Sequence, residues 1–419
     1  MLVKLLTKLT VAATILSFCG IAALAQQGQQ KKSPWKDRAE YDMYNAMAKE
    51  PAAAKKVQLL DSYLKKYPES KFKLQVYLMY AQAYQKLAQP DKMYEAAQKV
   101  LALDPKNVQG LYFVTSLTIS MAKTDPTHLS NGDKAAKALL AEVAAMKKPA
   151  QMSDANWKKQ KDSLIELAQK TIGWVAMTRK NNAAAERAFR AVLKINPNNG
   201  QVSYWLGTVI LAQRDASKQA QAMYHFARAA SYTGPGAMTP QGRQKVDAYV
   251  RKIYSTYHGS EEGLDAIYAR AKSNPFPPAG FKIKSKEQLA AEADEKMRQE
   301  HPMLYMWLNV RKQLEAPNGK EYFNSSVKNT AMPQLRGYII SQSPARRPDT
   351  LVLGIQDRNT REVTLKLDEA FRYPARRGTV LRFTCVPQRF TQSPFNLGFD
   401  CEQSKVKGWP PPPSRKKTR

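Results

Sequence analysis

TIGWVAMTRKNNAAAERAFRAVLKINP, residues 171–197, decides how this chain folds. Gly173 sits within an apolar helical stretch. Ala185 and Phe189 follow twelve and sixteen positions later on a second helical stretch, and Pro197 closes it eight residues beyond. Two helices cross closely only where a side chain is small, so Gly173 and Ala185 mark the predicted contact. Phe189 lies four residues after Ala185, on the same helical face, and fills the space beside it. Pro197 cannot continue a helix and ends the unit.

Working outward, the pattern recurs from residue 37 to residue 274. Ala, Leu, Lys and Gln dominate, apolar residues return at three- and four-residue spacing, and prolines punctuate the ends. Before Pro105 come Tyr77, Tyr80, Ala81, Tyr84, Ala97 and Val100. After Pro197 come Trp205, Leu206, Gly207, Ile210, Ala220, Tyr224 and Ala227, with about one inserted residue around Asp215-Ala216-Ser217. A stretched unit spans residues 108–149. Weaker ones lie before Pro68 and before Pro275.

Small residue, Ala, Phe and Pro at these offsets resemble the tetratricopeptide repeat, a helix–turn–helix unit of about 34 residues that stacks into a superhelix. The resemblance implies repeat-packing roles for Ala81, Tyr84, Pro105, Gly173, Ala185, Phe189, Pro197, Gly207, Ala220 and Tyr224. It also implies that the first helix of each unit lines a groove. Helical spacing then sets Gln82 and Lys86, Lys170, Trp174 and Met177, and Tyr204 and Thr208 on that side. Amides, aromatics and a few cations suit an extended peptide or a partner's helix.

Pro275 to Pro278 opens a Pro-rich linker, residues 275–284. Residues 285–317 read as capping or bridging helices interrupted at His301-Pro302. From 320 to 408 the pattern becomes β. Strands are predicted at 334–341, 350–357, 361–367, 379–387 and 396–403, with Leu351/Leu353/Ile355 and Val363/Leu365/Leu367 alternating. The fold class is therefore α+β and multidomain: a helical-repeat solenoid followed by a small β-barrel or sandwich. The five strands faintly resemble an oligonucleotide/oligosaccharide-binding fold. Arg336, Tyr338, Arg346, Arg347, Arg372, Tyr373, Arg376, Arg377, Arg382, Phe390 and Phe395 interleave cations with rings. The pairs Arg346-Arg347 and Arg376-Arg377, in loops, form the candidate basic patch, suited to an anionic polymer or lipid surface.

The ends and the composition add a location. Lys4 and Lys8, an apolar run from Leu9 to Leu24 and Ala23-Leu24-Ala25 have the layout of a secretory signal peptide, residues 1–25. A polar lead-in covers 26–36. Export to a periplasm or envelope is expected, a retained anchor or a lipoprotein at Cys19 being the alternatives. Cys385 and Cys401 remain, an even pair that suggests one disulfide in an exported chain. The formal charge of +31, with a basic tail at 409–419, favours anionic partners. Export makes nucleic acid the less favoured of these. His128, His225, His258 and His301 stand far apart, with no metal-ligand spacing, nucleophile elbow or phosphate loop. No enzyme, metal or cofactor is therefore expected. The expected role is a scaffold of cell-envelope assembly, with polyanion binding by the β-domain as the alternative.

Overall fold

The computed structural model describes residues 33–412. The signal peptide, most of the lead-in and the last residues of the basic tail lie outside the described residues. The described chain divides into two compact units. One runs to Thr239 and takes in Lys272–Pro275; the other comprises Pro240–Ala271 and continues from Phe276.

The first unit is a run of helical hairpins: α1 (Arg38–Lys49) with α2 (Ala53–Lys66), α3 (Lys73–Lys86) with α4 (Pro90–Leu103), α5 (Val108–Met121) with α6 (Pro126–Ala145), α7 (Asp154–Thr178) with α8 (Asn182–Ile195), and α9 (Gly200–Ala212) with α10 (Gln219–Ser231). Short polar side chains start many of them. Asp37, Asn107, Asp125, Ser153, Asn181 and Asn199 each accept a first-turn backbone N–H, one of the donors that no helix can satisfy internally. Pro90 and Pro126 occupy first-turn positions, where the missing N–H costs nothing.

Inside four hairpins the chain turns through a left-handed residue that is not glycine. These are Ala88, Ala122, Lys180 and Arg214, with φ between 50° and 60°. Ala88 and Ala122 lie one 34-residue repeat apart, as do Lys180 and Arg214. The longer step between the two pairs accommodates the long helices α6 and α7.

The hairpin at 171–197 packs as its spacing predicts. Ala185 and Phe189 are fully buried, and a Cβ placed on Gly173 would lie 2.5 Å from Phe189 Cε1. The next hairpin departs from prediction. Ala220 and Tyr224 are both buried, but the residues against Gly207 are Ala222, through its carbonyl, and the ring of Phe226. The turn at Ala216–Lys218 winds as a 3₁₀ helix and carries the Ala–Phe pair two positions further along. Tyr224 instead donates to the Asn274 carbonyl at 3.2 Å. In the stretched hairpin the small residue changes sides, since Gly132 on α6 meets Thr118 on α5.

The second unit begins with α11 (Pro240–His258) and α12 (Leu264–Ser273), continues through α13 (Lys286–Glu300) and α14 (Pro302–Glu315), and passes a single turn α15 (Gly319–Tyr322) into seven strands. These are β1 (Leu335–Ser343), β2 (Thr350–Gly354), β3 (Val363–Leu367), β4 (Val380–Phe383), β5 (Val386–Thr391), β6 (Asn396–Cys401) and β7 (Val406–Lys407). They form one sheet in the order β5-β6-β3-β2-β1-β4-β7. Only β3 and β6 pair in parallel. The predicted strand 379–387 is two strands, parted at Thr384-Cys385, and the second runs on to Thr391. Cys385 and Cys401 are disulfide-bonded at the base of the β5–β6 hairpin.

The layer that a sandwich would draw from a second sheet is supplied here by α14. Pro302 opens this helix. Trp307 and Leu314 are fully buried in one core with Leu351, Leu353, Val363, Leu365, Leu381 and Phe399. Buried Glu362 fastens the helix to the sheet. Its carboxylate accepts from Trp307 Nε1 (3.2 Å), an Arg311 guanidinium N–H (2.6 Å) and the backbone N–H groups of Ile355 (2.6 Å) and Gln356 (2.8 Å).

Candidate protein-binding surface

The first helices of the hairpins lie side by side, α3 against α5 and α5 against α7. Each presents one stripe left open by packing within its own hairpin. On α3, Gln75, Gln82, Gln85 and Lys86 are exposed. On α7, Lys170, Trp174 and Met177 are half-buried, and on α9, Tyr204 and Thr208 are half-buried. Gln82, Lys86, Lys170, Trp174, Met177, Tyr204 and Thr208 are the predicted groove residues, Gln75 and Gln85 continue the stripe on α3, and the 3.6-residue period puts each set on a single face.

Two of them also serve packing. Tyr204 sets its ring 5.7 Å from that of Phe226, and the Thr208 hydroxyl returns to the Tyr204 carbonyl. The structure adds a stripe that sequence reading missed, because the stretched hairpin hides its register. Thr115 on α5 is buried where the other hairpins have Ala81, Gly173 and Gly207, and its carbonyl accepts from Thr171 Oγ1 at 3.1 Å. Counting from Thr115 brings Gln109, Tyr112 and Ser116 to the open side. Burial raises the Tyr112 phenol above its ordinary range, so it stays a neutral hydrogen-bonding group throughout the physiological range.

Behind this surface, polar side chains lock the hairpins together. Glu186 on α8 accepts from Arg190 (2.9 Å), Gln213 (2.7 Å) and Lys218 (3.0 Å), and Arg190 also donates to Gln221 at 2.8 Å. Burial would raise the Glu186 pKa, but these donors outweigh it and hold the carboxyl at about 2. On α10, the fully buried His225 is pushed down to about 3 by desolvation, with the Arg190 charge adding to it. Glu166 ties α7 to the next loop by accepting from Asn196 and Asn199. The buried guanidinium of Arg228 donates to the Pro197 carbonyl at 3.0 Å, which anchors the punctuating proline.

Residues 74–107, the α3–α4 hairpin with its flanking turn, match the tetratricopeptide repeat family model. The same hairpin geometry, turn conformation and small-residue seam recur around them. The array is of tetratricopeptide repeats. No curated protein matches the chain. Among solved structures, MamA is similar at 12% identity over 51% of this chain and 93% of its own, with a TM-score of 0.32. A thermophilic TPR protein of Thermus thermophilus is similar at 14% identity over 51% and 95%, with a TM-score of 0.26.

In the second unit, the Arg346-Arg347 and Arg376-Arg377 pairs are exposed. Gln342 holds their two loops at one end of β1 by exchanging hydrogen bonds with the backbone of Ala375. Phe390 and Phe395, grouped with the cations by sequence, pack instead against the core: Phe390 lies 5.5 Å from Phe323, and Phe395 lies 6.2 Å from Trp307. Their positions in the β5–β6 hairpin turn both rings inward. Among the described residues no group of three His, Cys, Asp or Glu side chains could hold a metal ion, and no helix is long and apolar enough to cross a membrane.

Proposed function

We propose that this protein is an exported, non-enzymatic scaffold of the cell envelope whose tetratricopeptide array grips an extended peptide or a helix of a protein partner. Arrays of this kind are protein-interaction scaffolds, so the finer points here are the compartment and the mode of grip. The observation that carries the reading is the stripe Gln82, Tyr112, Trp174, Met177 and Tyr204 across successive first helices. It combines half-buried rings, which bind at little entropic cost, and an adaptable thioether with the Gln82 amide, which can hydrogen-bond a backbone. The buried disulfide Cys385–Cys401 supports passage through an oxidising compartment.

Photocrosslinking from position 174, compared with position 187 on the exposed side of α8, tests the grip in the native compartment. A discrete adduct from 174, absent from 187 and lost on Gln82→Ala with Tyr112→Ala, is the expected result. Equal labelling from both positions refutes it. Recovery of the protein in the cytoplasmic fraction, with both thiols alkylatable, refutes the export.

A further inference from the structure

The outward face of the sheet carries a line of cations across three neighbouring strands. In β1, Leu335 and Gly337 are buried while Arg336 between them is exposed. In β4, Leu381 and Phe383 are buried around exposed Arg382, and in β7 Val406 is buried beside exposed Lys407. The register sets Arg336 opposite Arg382, and Arg382 opposite Lys407. All three therefore leave the same face, and cross-strand spacing puts the line at about 10 Å long. None of the three forms an ion pair or side-chain hydrogen bond among the described residues. Tyr338 shares the outward side of β1. Its ring centroid lies 5.6 Å from the Arg336 guanidinium carbon and 5.3 Å from that of Arg358.

Like charges directly opposite one another destabilise a sheet. A lysine on an edge strand is explained by protection against edge-to-edge aggregation, and Lys407 is on such an edge. That reason does not reach Arg336 and Arg382, because β1 and β4 are interior strands. A ligand that neutralises the line accounts for all three.

We propose that this face binds an anionic glycan chain laid across β1, β4 and β7, its carboxylates on Arg336, Arg382 and Lys407 and a sugar ring against Tyr338. The guanidinium fork takes a carboxylate through two parallel hydrogen bonds, and a straight line of point charges fits a linear polymer. Single-stranded nucleic-acid binders stack successive bases on several rings. This face offers one ring, already flanked by two guanidiniums, while Phe390 and Phe395 are committed to the core. A lipid surface takes apolar side chains into its interface, and the outward positions along this line are cationic.

The full chain, with its disulfide formed, is titrated with labelled oligogalacturonate, with oligothymidylate and with phosphatidylglycerol vesicles over a range of salt. Arg336→Gln/Arg382→Gln/Lys407→Gln together should weaken oligogalacturonate binding by about tenfold or more and flatten its salt dependence, because fewer counterions are released. Arg346→Gln/Arg347→Gln should change it less than about threefold, as simple loss of loop charge would. The triple variant should melt no lower than the parent, since repulsion has been removed. Unchanged binding by the triple variant overturns the proposal, as does an equal loss in the loop variant. Tighter binding of the parent to oligothymidylate or vesicles than to the glycan overturns the choice of ligand.

Discussion

Glu186 in the first unit and Glu362 in the second are each buried at a joint between elements, and the two are held differently. Glu186 gathers donors from three side chains, on α8, at the end of α9 and on the turn before α10. Glu362 gathers two backbone N–H groups at the end of β2 and two side chains from α14. Loss of Glu186 frees long side chains that can swing into water. Loss of Glu362 strands two amides that cannot move, one of them on the buried Ile355, together with a buried indole N–H. An unsatisfied buried donor costs about 1–3 kcal/mol, so the same chemical deletion should be far more damaging in the second unit.

Glu362→Ala is therefore the largest expected effect. A loss of about 3–5 kcal/mol follows from leaving a buried charged network half-made. The Trp307 fluorescence transition should move to much lower denaturant, while far-UV helix signal from the array persists to its own midpoint. A single shared transition, unmoved by the substitution, would break the contrast between the two joints.

Acid should attack the other joint. His225 has a folded pKa of about 3 against an ordinary 6.5, so the unfolded chain takes up the proton first and stability falls as pH drops below 6.5. Glu186, at about 2 against 4.5, adds a further loss as pH falls below 4.5. Each tenfold difference in proton affinity between the folded and unfolded chain is worth about 1.36 kcal/mol, so between pH 7 and pH 4 the array should lose roughly 2–4 kcal/mol. Thermal melts across that range check this. His225→Gln should flatten the slope between pH 6.5 and 4.5, and an unchanged slope would show that the histidine does not carry it.

How much of this was legible in the sequence follows from the range of the interactions. Gly173, Ala185, Phe189 and Pro197 are coupled within one hairpin, so spacing alone finds them. Ala222 and Phe226 were displaced by a 3₁₀ turn whose extra length no periodicity records. Trp307 and Glu362 meet across 55 residues. Nothing local tells the 302–315 helix that its apolar stripe covers a sheet. The cationic line was also hidden: Arg336, Arg382 and Lys407 become neighbours only through strand register, whereas Arg346-Arg347 and Arg376-Arg377 stand out because they are adjacent in sequence.

The seam of the best hairpin gives a smaller effect that sharpens the comparison, because it tests packing with no charge involved. Gly173→Ala would set a methyl 2.5 Å from Phe189 Cε1 and 2.6 Å from Cδ1. Phe189 is fully buried and rests on Trp205 with centroids 5.6 Å apart, so the ring has little room to yield. Overpacking of about 1–3 kcal/mol, less about 0.5–1 kcal/mol from the better helix propensity of alanine, leaves a net loss near 1 kcal/mol. Gly173→Ala combined with Phe189→Leu should recover part of it. A melting temperature for the single variant at or above the parent's would show that the two helices do not depend on this close approach.

The smallest effect should be a gain. Lys180 turns the chain between α7 and α8 at φ 60°, a conformation that costs a residue with a Cβ roughly 1–2 kcal/mol relative to glycine. Lys180→Gly removes that strain but loosens the unfolded chain by about 0.4–1 kcal/mol. A net stabilisation of about 0.5 kcal/mol is expected, and the same holds for Arg214→Gly at φ 57°. Both side chains are exposed, so no packing is lost and the two gains should add. Equilibrium denaturation of the double variant measures them. A loss instead of a gain would mean that the aliphatic stems of these cations stabilise their turns, and that the array keeps non-glycine residues at 88, 122, 180 and 214 for contacts rather than tolerating their strain.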